Sequence, residues 1–184
     1  MPRCKSCKEK FETKEFLQKF CKGSIDCLTA EGLYKLDKHK KQKDKERRLE
    51  KKVLKEKLKT KSDYEKELEK IFNHYIRERD KLLPCVSCGA EAGHYKLTAG
   101  HYYPAGTYKN LRFDEENVFG QCWFNCNKNK HGNLQEYRIE LEKRIGTDNL
   151  EALDIRRLTP KHYSIPELIE LKQVYKEKIR QLKR

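Results

Sequence analysis

Hydrophobic residues recur at helical spacing in two stretches of the sequence. Between residues 63 and 83 the apolar positions fall near a 3.6-residue period, which predicts a helix that ends before Pro84. Near the end of the chain, Ser164-Ile165-Pro166-Glu167 has the spacing of a capping box and predicts a second amphipathic helix. We expect this C-terminal helix to pack on the core or on a partner subunit. The apolar positions are Leu68, Ile71, Phe72, Tyr75, Ile76 and Leu82 in the first helix, and Leu168, Leu171, Val174, Tyr175, Ile179 and Leu182 in the second.

Shorter patterns lie between these two helices. Residues 95–103 alternate weakly and suit a short strand, residues 104–110 suit a loop, and residues 117–121 suit a second strand. Asn133-Leu134-Gln135-Glu136 has capping-box spacing, so a helix should follow it and stop at Gly146. The order strand, loop, strand and helix between longer helices predicts an α+β fold with a small sheet.

Residues 35–61 have almost no apolar face. They hold 14 Lys or Arg against 5 Asp or Glu, and they contain no Pro or Gly. Good helix formers dominate, so we expect a solvated helix that acts as a spacer. Its charge also makes it a candidate arm for phosphate groups, and contacts of that kind tolerate any base sequence.

The composition limits both the core and the partners. Of 184 residues, 36% are hydrophobic and 39% are charged, so a single large core is not expected and metal ions become plausible stabilisers. The formal charge of +14 favours a polyanionic partner, with nucleic acid ahead of an acidic membrane surface. No apolar run follows Met1 or is long enough to span a membrane, so we expect a cytoplasmic chain with reduced thiols.

Eight cysteines fall into two groups of four. In a reducing compartment, Cys-x-x-Cys spacing indicates zinc rather than disulfides, because thiolates are soft ligands and zinc accepts a tetrahedral set. The first expected zinc site is a knuckle that Phe11, Phe16 and Phe20 could cover; an alternative is that Cys21 or Cys27 is only a small buried side chain. The expected ligands are Cys4, Cys7, Cys21 and Cys27 in one site, and Cys85, Cys88, Cys122 and Cys126 in the other.

These patterns divide the chain into three parts. Residues 1–33 form an N-terminal zinc knuckle, residues 34–62 a basic helical linker, and residues 63–184 a domain with its own zinc site and a C-terminal helix. Within this last part, Trp123 is expected to cover the cysteine knuckle, with stacking on unpaired bases as the alternative.

A closed structural zinc site does not need His101, Asn117 and Asn127. His101 and Asn117 lie between the two cysteine pairs of the second group, and Asn127 directly follows the last cysteine. Histidine titrates near neutral pH and suits a general base, and amide oxygens suit Mg²⁺. The plainer alternatives are a structural histidine and two asparagines that cap turns.

These residues resemble the zinc-stapled HNH, or His-Me finger, endonucleases with a treble-clef ββα-metal core. More closely, the chain resembles the NinG (Rap) recombination proteins of lambda-type phages. The resemblance is most specific over residues 72–146. Its motifs are Cys85-x2-Cys88, Ala99-Gly100-His101-Tyr102, Leu111-Arg112-Phe113, Asn117, Gln121-Cys122 and Cys126-Asn127.

The resemblance implies a structure-selective DNA endonuclease that acts on branched DNA such as Holliday junctions. It places the general base at His101, its orienting residue at Asn117, and a ligand of catalytic Mg²⁺ or Mn²⁺ at Asn127. Two positions depart from the HNH pattern. Gly100 stands where an acidic metal ligand is common, and three residues rather than two separate Cys122 from Cys126. The candidates for the missing metal ligand are His131, Asp114, Glu115 and Glu140.

The expected partners follow from this interpretation. Symmetric cutting of a four-way junction needs two active sites, so we expect a homodimer, and other phage or host recombination proteins are further candidates. The alternatives are a non-catalytic zinc protein that binds DNA or acts as an adaptor, and an HNH nuclease or nickase without branch preference. The candidate DNA contacts are Arg77, Arg79, Arg112, Lys128 and Lys130.

Overall fold

The computed structural model describes residues 1–13 and 15–184, and the chain folds as two compact units, Met1–Leu58 and Lys59–Arg184. The first unit contains the N-terminal cysteines and a 33-residue helix, α1 (Ile25–Lys57), which Ser24 caps. Leu49, Val53 and Leu54 on α1 are about half exposed or more, as expected for a solvated helix. Residues 1–33 and most of the predicted linker therefore share this unit.

The second unit surrounds a two-stranded antiparallel ribbon. Helix and sheet together confirm the α+β class, and the sequence pattern did not indicate the helix over Thr147–Arg156. In chain order the elements are α2 (Lys61–Arg79), β1 (Leu97–His101), a 3₁₀ turn (Lys109–Leu111), β2 (Val118–Cys122), a π-helix (Trp123–Asn129), α3 (Leu134–Ile145), α4 (Thr147–Arg156) and α5 (Ile165–Leu182).

Each face of the ribbon packs on its own helices. The register sets His101 opposite Val118 and Leu97 opposite Cys122, and neighbouring residues of a strand point to opposite faces. Val118 belongs to an apolar cluster with residues of α2 and α5, whereas Phe119 belongs to a cluster with residues of α3 and α4. The ribbon is thus held between two helix pairs, and α5 packs on the core.

The helix ends test the capping predictions. Ser164 and Glu167 form the predicted capping box of α5, and Gly146, with φ of 83°, ends α3 as predicted. The capping box at Asn133 is wrong, because that residue has φ of 48° and ψ of 56° and its side chain makes no cap hydrogen bond. Leu82 does not join the apolar face of α2; the helix ends at Arg79, and Leu82 is 82% exposed.

In the described part of the chain, no helix combines the length and the apolar character that a membrane crossing needs.

Candidate functional site

Four cysteines of the second unit converge as predicted. The sulfur atoms of Cys85, Cys88, Cys122 and Cys126 all lie within 4.8 Å of one another. The Cys88 and Cys122 sulfurs are 3.8 Å apart. This is the edge of a tetrahedron with Zn–S bonds of about 2.3 Å, and it is far longer than a disulfide bond of about 2.05 Å. These residues therefore fit a zinc ion.

The local structure explains how the chain presents these ligands. Cys122 ends β2 and Cys126 lies in the π-helix, whose wider turn accommodates the extra residue between them. The backbone N–H of Cys122 donates to the Cys85 sulfur at 3.2 Å, and the N–H of Cys126 donates to the Cys122 sulfur at 3.3 Å. Burial raises the pKa of Cys85, but backbone donors outweigh it and bring the pKa below its ordinary value. The cluster thus favours a thiolate at this position.

The N-terminal cysteines form a second group of the same kind. The sulfurs of Cys4, Cys7, Cys21 and Cys27 also lie within 4.8 Å of one another, with 3.8 Å between Cys4 and Cys27. These residues fit a second zinc ion by the same criterion.

The aromatic cover of both cysteine clusters differs from the prediction. At the N-terminal cluster Phe20 is buried and Phe11 is partly buried, but Phe16 is 95% exposed. At the second cluster Ala90 and Tyr95 form the cover. Trp123, the predicted cover, lies on the π-helix and is 38% exposed.

His101 ends strand β1 and is held by the backbone. Its Nε2 lies 3.0 Å from the carbonyl oxygen of Arg112. Burial lowers the pKa of His101; the bond to this carbonyl raises it, and the net shift is downward. The imidazole is therefore neutral at neutral pH.

The hydrogen bond also fixes the tautomer. A carbonyl oxygen can only accept, so we assign the proton of the neutral ring to Nε2. Nδ1 then carries a lone pair, and no described residue donates to it. The fully buried side-chain atoms without a partner are, in the described part of the chain, Asn73 Oδ1, Arg112 Nε and Arg144 Nη1. Nδ1 of His101 is not among them and retains contact with solvent.

Asn117 holds the loop that follows β1. The side chain is completely buried; Nδ2 donates to the carbonyls of Tyr103 and Leu111 at 3.0 Å, and Oδ1 accepts from Tyr103 N at 2.8 Å. Both N–H groups of its amide are used there, and among the described residues its side chain makes no hydrogen bond to His101. The hydrogen-bond partner of the imidazole is the Arg112 carbonyl, whereas the family resemblance implies Asn117 as the orienting residue.

Gln121 explains the glycine at position 100. A Cβ added to Gly100 would lie 2.5 Å from Oε1 and 2.9 Å from Cβ of Gln121, so no larger side chain fits there. Gln121 is completely buried, and its Nε2 donates to Ser87 Oγ and to the carbonyl of Gly132. Sequence reasoning gave this residue no role, although a glutamine next to a zinc ligand in a buried strand was a signal.

Asn127 belongs to the same network. Its Nδ2 donates to Gln121 Oε1 at 3.0 Å, so its own Oδ1 remains for another partner. Gln121 is paired with Thr98 in the ribbon register, which places it on the face opposite to the His101 side chain. Among the described residues no hydrogen bond joins His101 to Asn117 or Asn127.

The residues around Asn127 do not form a preassembled site for Mg²⁺ or Mn²⁺. In the described chain, the two cysteine clusters are the only groups of three or more Cys, His, Asp or Glu whose ligand atoms converge. Asp114 pairs with Arg156, Glu115 accepts from Tyr75 and Lys178, and Glu140 pairs with Arg144. His131 is exposed, with φ of 47°, just beyond the π-helix. We therefore assign no step to a catalytic cation.

The predicted DNA contacts divide into two kinds. Arg79 is a structural residue: its guanidinium pairs with buried Asp80 and donates to the Val118 carbonyl at 2.8 Å. Asp80 in turn accepts from Gly120 N at 2.7 Å, so this pair holds β2 against α2. Arg77 is half-buried on α2 and makes no hydrogen bond or ion pair to a described residue. Lys128 and Lys130 are exposed.

Arg112 connects His101 to a basic cleft. Its side chain is 22% exposed and reaches Glu65 only at 3.5 Å, and its buried Nε has no partner among the described residues. Nη2 therefore remains for a ligand. The small depression that Arg112 and Glu65 line adjoins a hollow of about 280 Å³, with which it shares Lys109, Lys161 and His162. Sequence reasoning missed this surface. The basic residues that line these adjoining depressions are Lys61, Lys109, Arg112, Arg157, Lys161 and His162, and we call them the basic cleft.

Comparisons with known proteins agree with the motifs. A family model described as "Bacteriophage Lambda NinG protein" matches residues 1–184. Proteins named "Protein ninG" from Escherichia phages 933W and lambda are each 36% identical over 132 residues, which are 72% of this chain and 64% and 63% of theirs. The protein of that name from Salmonella phage P22 is 37% identical over 135 residues. The match thus spans about 64% of the length of these curated relatives, and no solved structure matches the chain.

Proposed function

The chain belongs to the NinG family of bacteriophage proteins, and on this premise we propose that it is an endonuclease that hydrolyses phosphodiester bonds in branched DNA, such as Holliday junctions. In this proposal His101 is the general base, the basic cleft holds the DNA backbone, and the cysteine cluster beside the ribbon keeps both in place. The site of action would be the cytoplasm of the bacterial host.

One observation carries the proposal, namely the state of His101. A general base needs a free lone pair at working pH and a fixed direction. The lowered pKa keeps the ring neutral, and the bond from Nε2 to the Arg112 carbonyl leaves Nδ1 to take a proton from water. A merely structural histidine would normally use both nitrogens in a buried site.

The second support is the position of positive charge. Arg112 holds the imidazole through its carbonyl and lines the basic cleft with its side chain. A phosphate in this cleft would gain charge-assisted hydrogen bonds from Arg112, Lys109 and Lys161. The same residue would thereby place a phosphate near the base that activates water.

Asn117 acts in this proposal as a positioning residue. By tying Tyr103 to Leu111 it closes the loop between His101 and Arg112, and so keeps the carbonyl of Arg112 beside the ring. Mg²⁺ commonly reaches its sites together with substrate phosphates, so we expect cleavage to require Mg²⁺ or Mn²⁺ although the described residues form no carboxylate cluster for it.

The test compares a labelled four-way junction with a linear duplex of the same arms. The zinc-loaded chain is assayed with Mg²⁺ and without it, because a strong chelator would also remove the zinc. We expect metal-dependent cuts in the junction and none in the duplex. Paired symmetric cuts would support the homodimer.

Two other results would replace the proposal. Cleavage of both DNAs would indicate a nuclease without branch preference. Binding without cleavage in Mg²⁺ and in Mn²⁺ would indicate a non-catalytic DNA-binding or adaptor protein, an alternative that Gly100 and the absence of a carboxylate cluster among the described residues favour.

A further inference from the structure

The π-helix presents two large aromatic side chains at the surface. Trp123 is 38% exposed and Phe124 is 56% exposed, their ring centroids are 6.2 Å apart, and their planes are inclined by 39°. Neighbouring exposed aromatic rings are uncommon, because burial of such rings is favourable. Ala90 and Tyr95 pack against the cysteines, so covering the cysteine cluster does not explain why two aromatic rings lie at this surface.

Lysines surround these rings. Lys96 Nζ lies 5.0 Å from the Trp123 ring centroid, and Lys128 Nζ lies 5.2 Å from Trp123 and 6.0 Å from Phe124. Residues 121–135 contain no Asp or Glu, so no carboxylate of this segment offsets the positive charge. The Trp123 surface, as we name it, consists of Lys96, Trp123, Phe124, Lys128 and Lys130.

We propose that the Trp123 surface binds unpaired bases of single-stranded DNA, with the rings stacking on bases and the lysines contacting the phosphates. This rests on the proposed function only in taking DNA as the partner. Every base has a π-face, so stacking of this kind does not depend on sequence. A lysine above an exposed ring contributes less than a stacked base, so a nucleotide can displace it toward the phosphate.

The charge separates this partner from a protein. The centres of protein–protein interfaces are depleted of charged residues, and lysine is among the most depleted. Here three lysines accompany two aromatic residues, which is the composition of single-strand binding grooves. The π-helix also carries Asn127, which bonds Gln121 against Gly100, the neighbour of His101. Lys96 directly precedes β1 and Trp123 directly follows β2, so the surface borders the end of the ribbon where Leu97 pairs with Cys122.

The sequence supplies its own probe for this surface. Trp123 is the single tryptophan of the chain, so its fluorescence reports on this place alone. The full zinc-loaded chain is titrated without Mg²⁺ with an oligothymidylate, and separately with a blunt duplex at equal phosphate concentration. We expect saturable quenching with the oligothymidylate and much less quenching with the duplex.

Variants locate the contact by fluorescence anisotropy of a labelled oligothymidylate. Trp123→Ala should weaken binding about 5-fold to 100-fold, and Trp123→Phe should retain most of it. Lys128→Gln should weaken binding and reduce the slope of log affinity against log salt by about one. The matched control is Ile155→Ala, which removes another exposed apolar side chain, 68% exposed, on α4 and should bind as the wild type.

The outcomes are separable from the nuclease proposal. Quenching by single-stranded DNA, in a chain that cuts no DNA, would support this inference and overturn the nuclease proposal. Wild-type binding by a folded Trp123→Ala variant that still cuts junctions would overturn this inference, leave the nuclease intact and direct attention to a protein partner. Equal quenching by duplex and single strands would overturn the base-stacking contact.

Discussion

His101 determines the pH dependence of the proposed reaction. The base must be unprotonated, and burial places its pKa below the ordinary value near 6.5. The single-turnover rate should therefore rise with pH through a midpoint below about 6.5 and stay level through pH 7 to 8. A pH–rate profile with a rising limb centred above 7 would show that a group other than His101 controls the step.

The close packing of Gly100 against Gln121 can be tested with a single substitution. Gly100→Ala should destabilise the second unit by about 1–3 kcal/mol, because the new Cβ would overlap the buried Gln121 side chain. Gly106→Ala is the matched control, since a Cβ there meets no atom within 4 Å. Denaturant unfolding measures both variants. Equal stability of the two would contradict the close contact between Gly100 and Gln121.

At the scale of elements, the last turn of α2 carries two arginines with different expected roles, Arg79 in stability and Arg77 in DNA binding. Arg79→Ala leaves Asp80 buried without its cation and should cost about 3 kcal/mol of unfolding free energy. Arg77→Ala, two residues earlier on the same helix, should leave stability within about 0.5 kcal/mol and weaken DNA binding. Thermal melting and a DNA titration of both variants provide the measurement. A stable Arg79→Ala variant with weak DNA binding would reverse the two assignments.

At the scale of the whole molecule, the predictable features were those set by short sequence distances. Cys-x-x-Cys pairs, the two strands and the Ser164 cap follow from local spacing. Gln121 occupies the space that a side chain at Gly100, on the other strand, would need. The bond from His101 to the Arg112 carbonyl depends on how the loop between these two residues closes. Such contacts form only after the chain has folded, so no local pattern indicates them.

The same scale carries a prediction about metal content. The intact chain should bind two Zn²⁺ ions, measured by elemental analysis, because each cysteine cluster has tetrahedral spacing. Cys126→Ser should reduce this to about one and unfold the ribbon region, whereas Cys4→Ser should also lose one zinc but leave junction cleavage by the second unit measurable. Two zinc ions remaining in either variant would contradict the ligand assignment.

The most direct test of the central claim is single-turnover cleavage of a labelled four-way junction by His101→Ala at saturating protein. His94→Ala is the matched control, because His94 is exposed in the second unit. We expect His101→Ala to bind the junction as the wild type does and to cut it about 10²-fold to 10⁴-fold more slowly, while His94→Ala retains the wild-type rate. A folded His101→Ala variant that cuts at the wild-type rate would contradict the assignment of His101 as the general base.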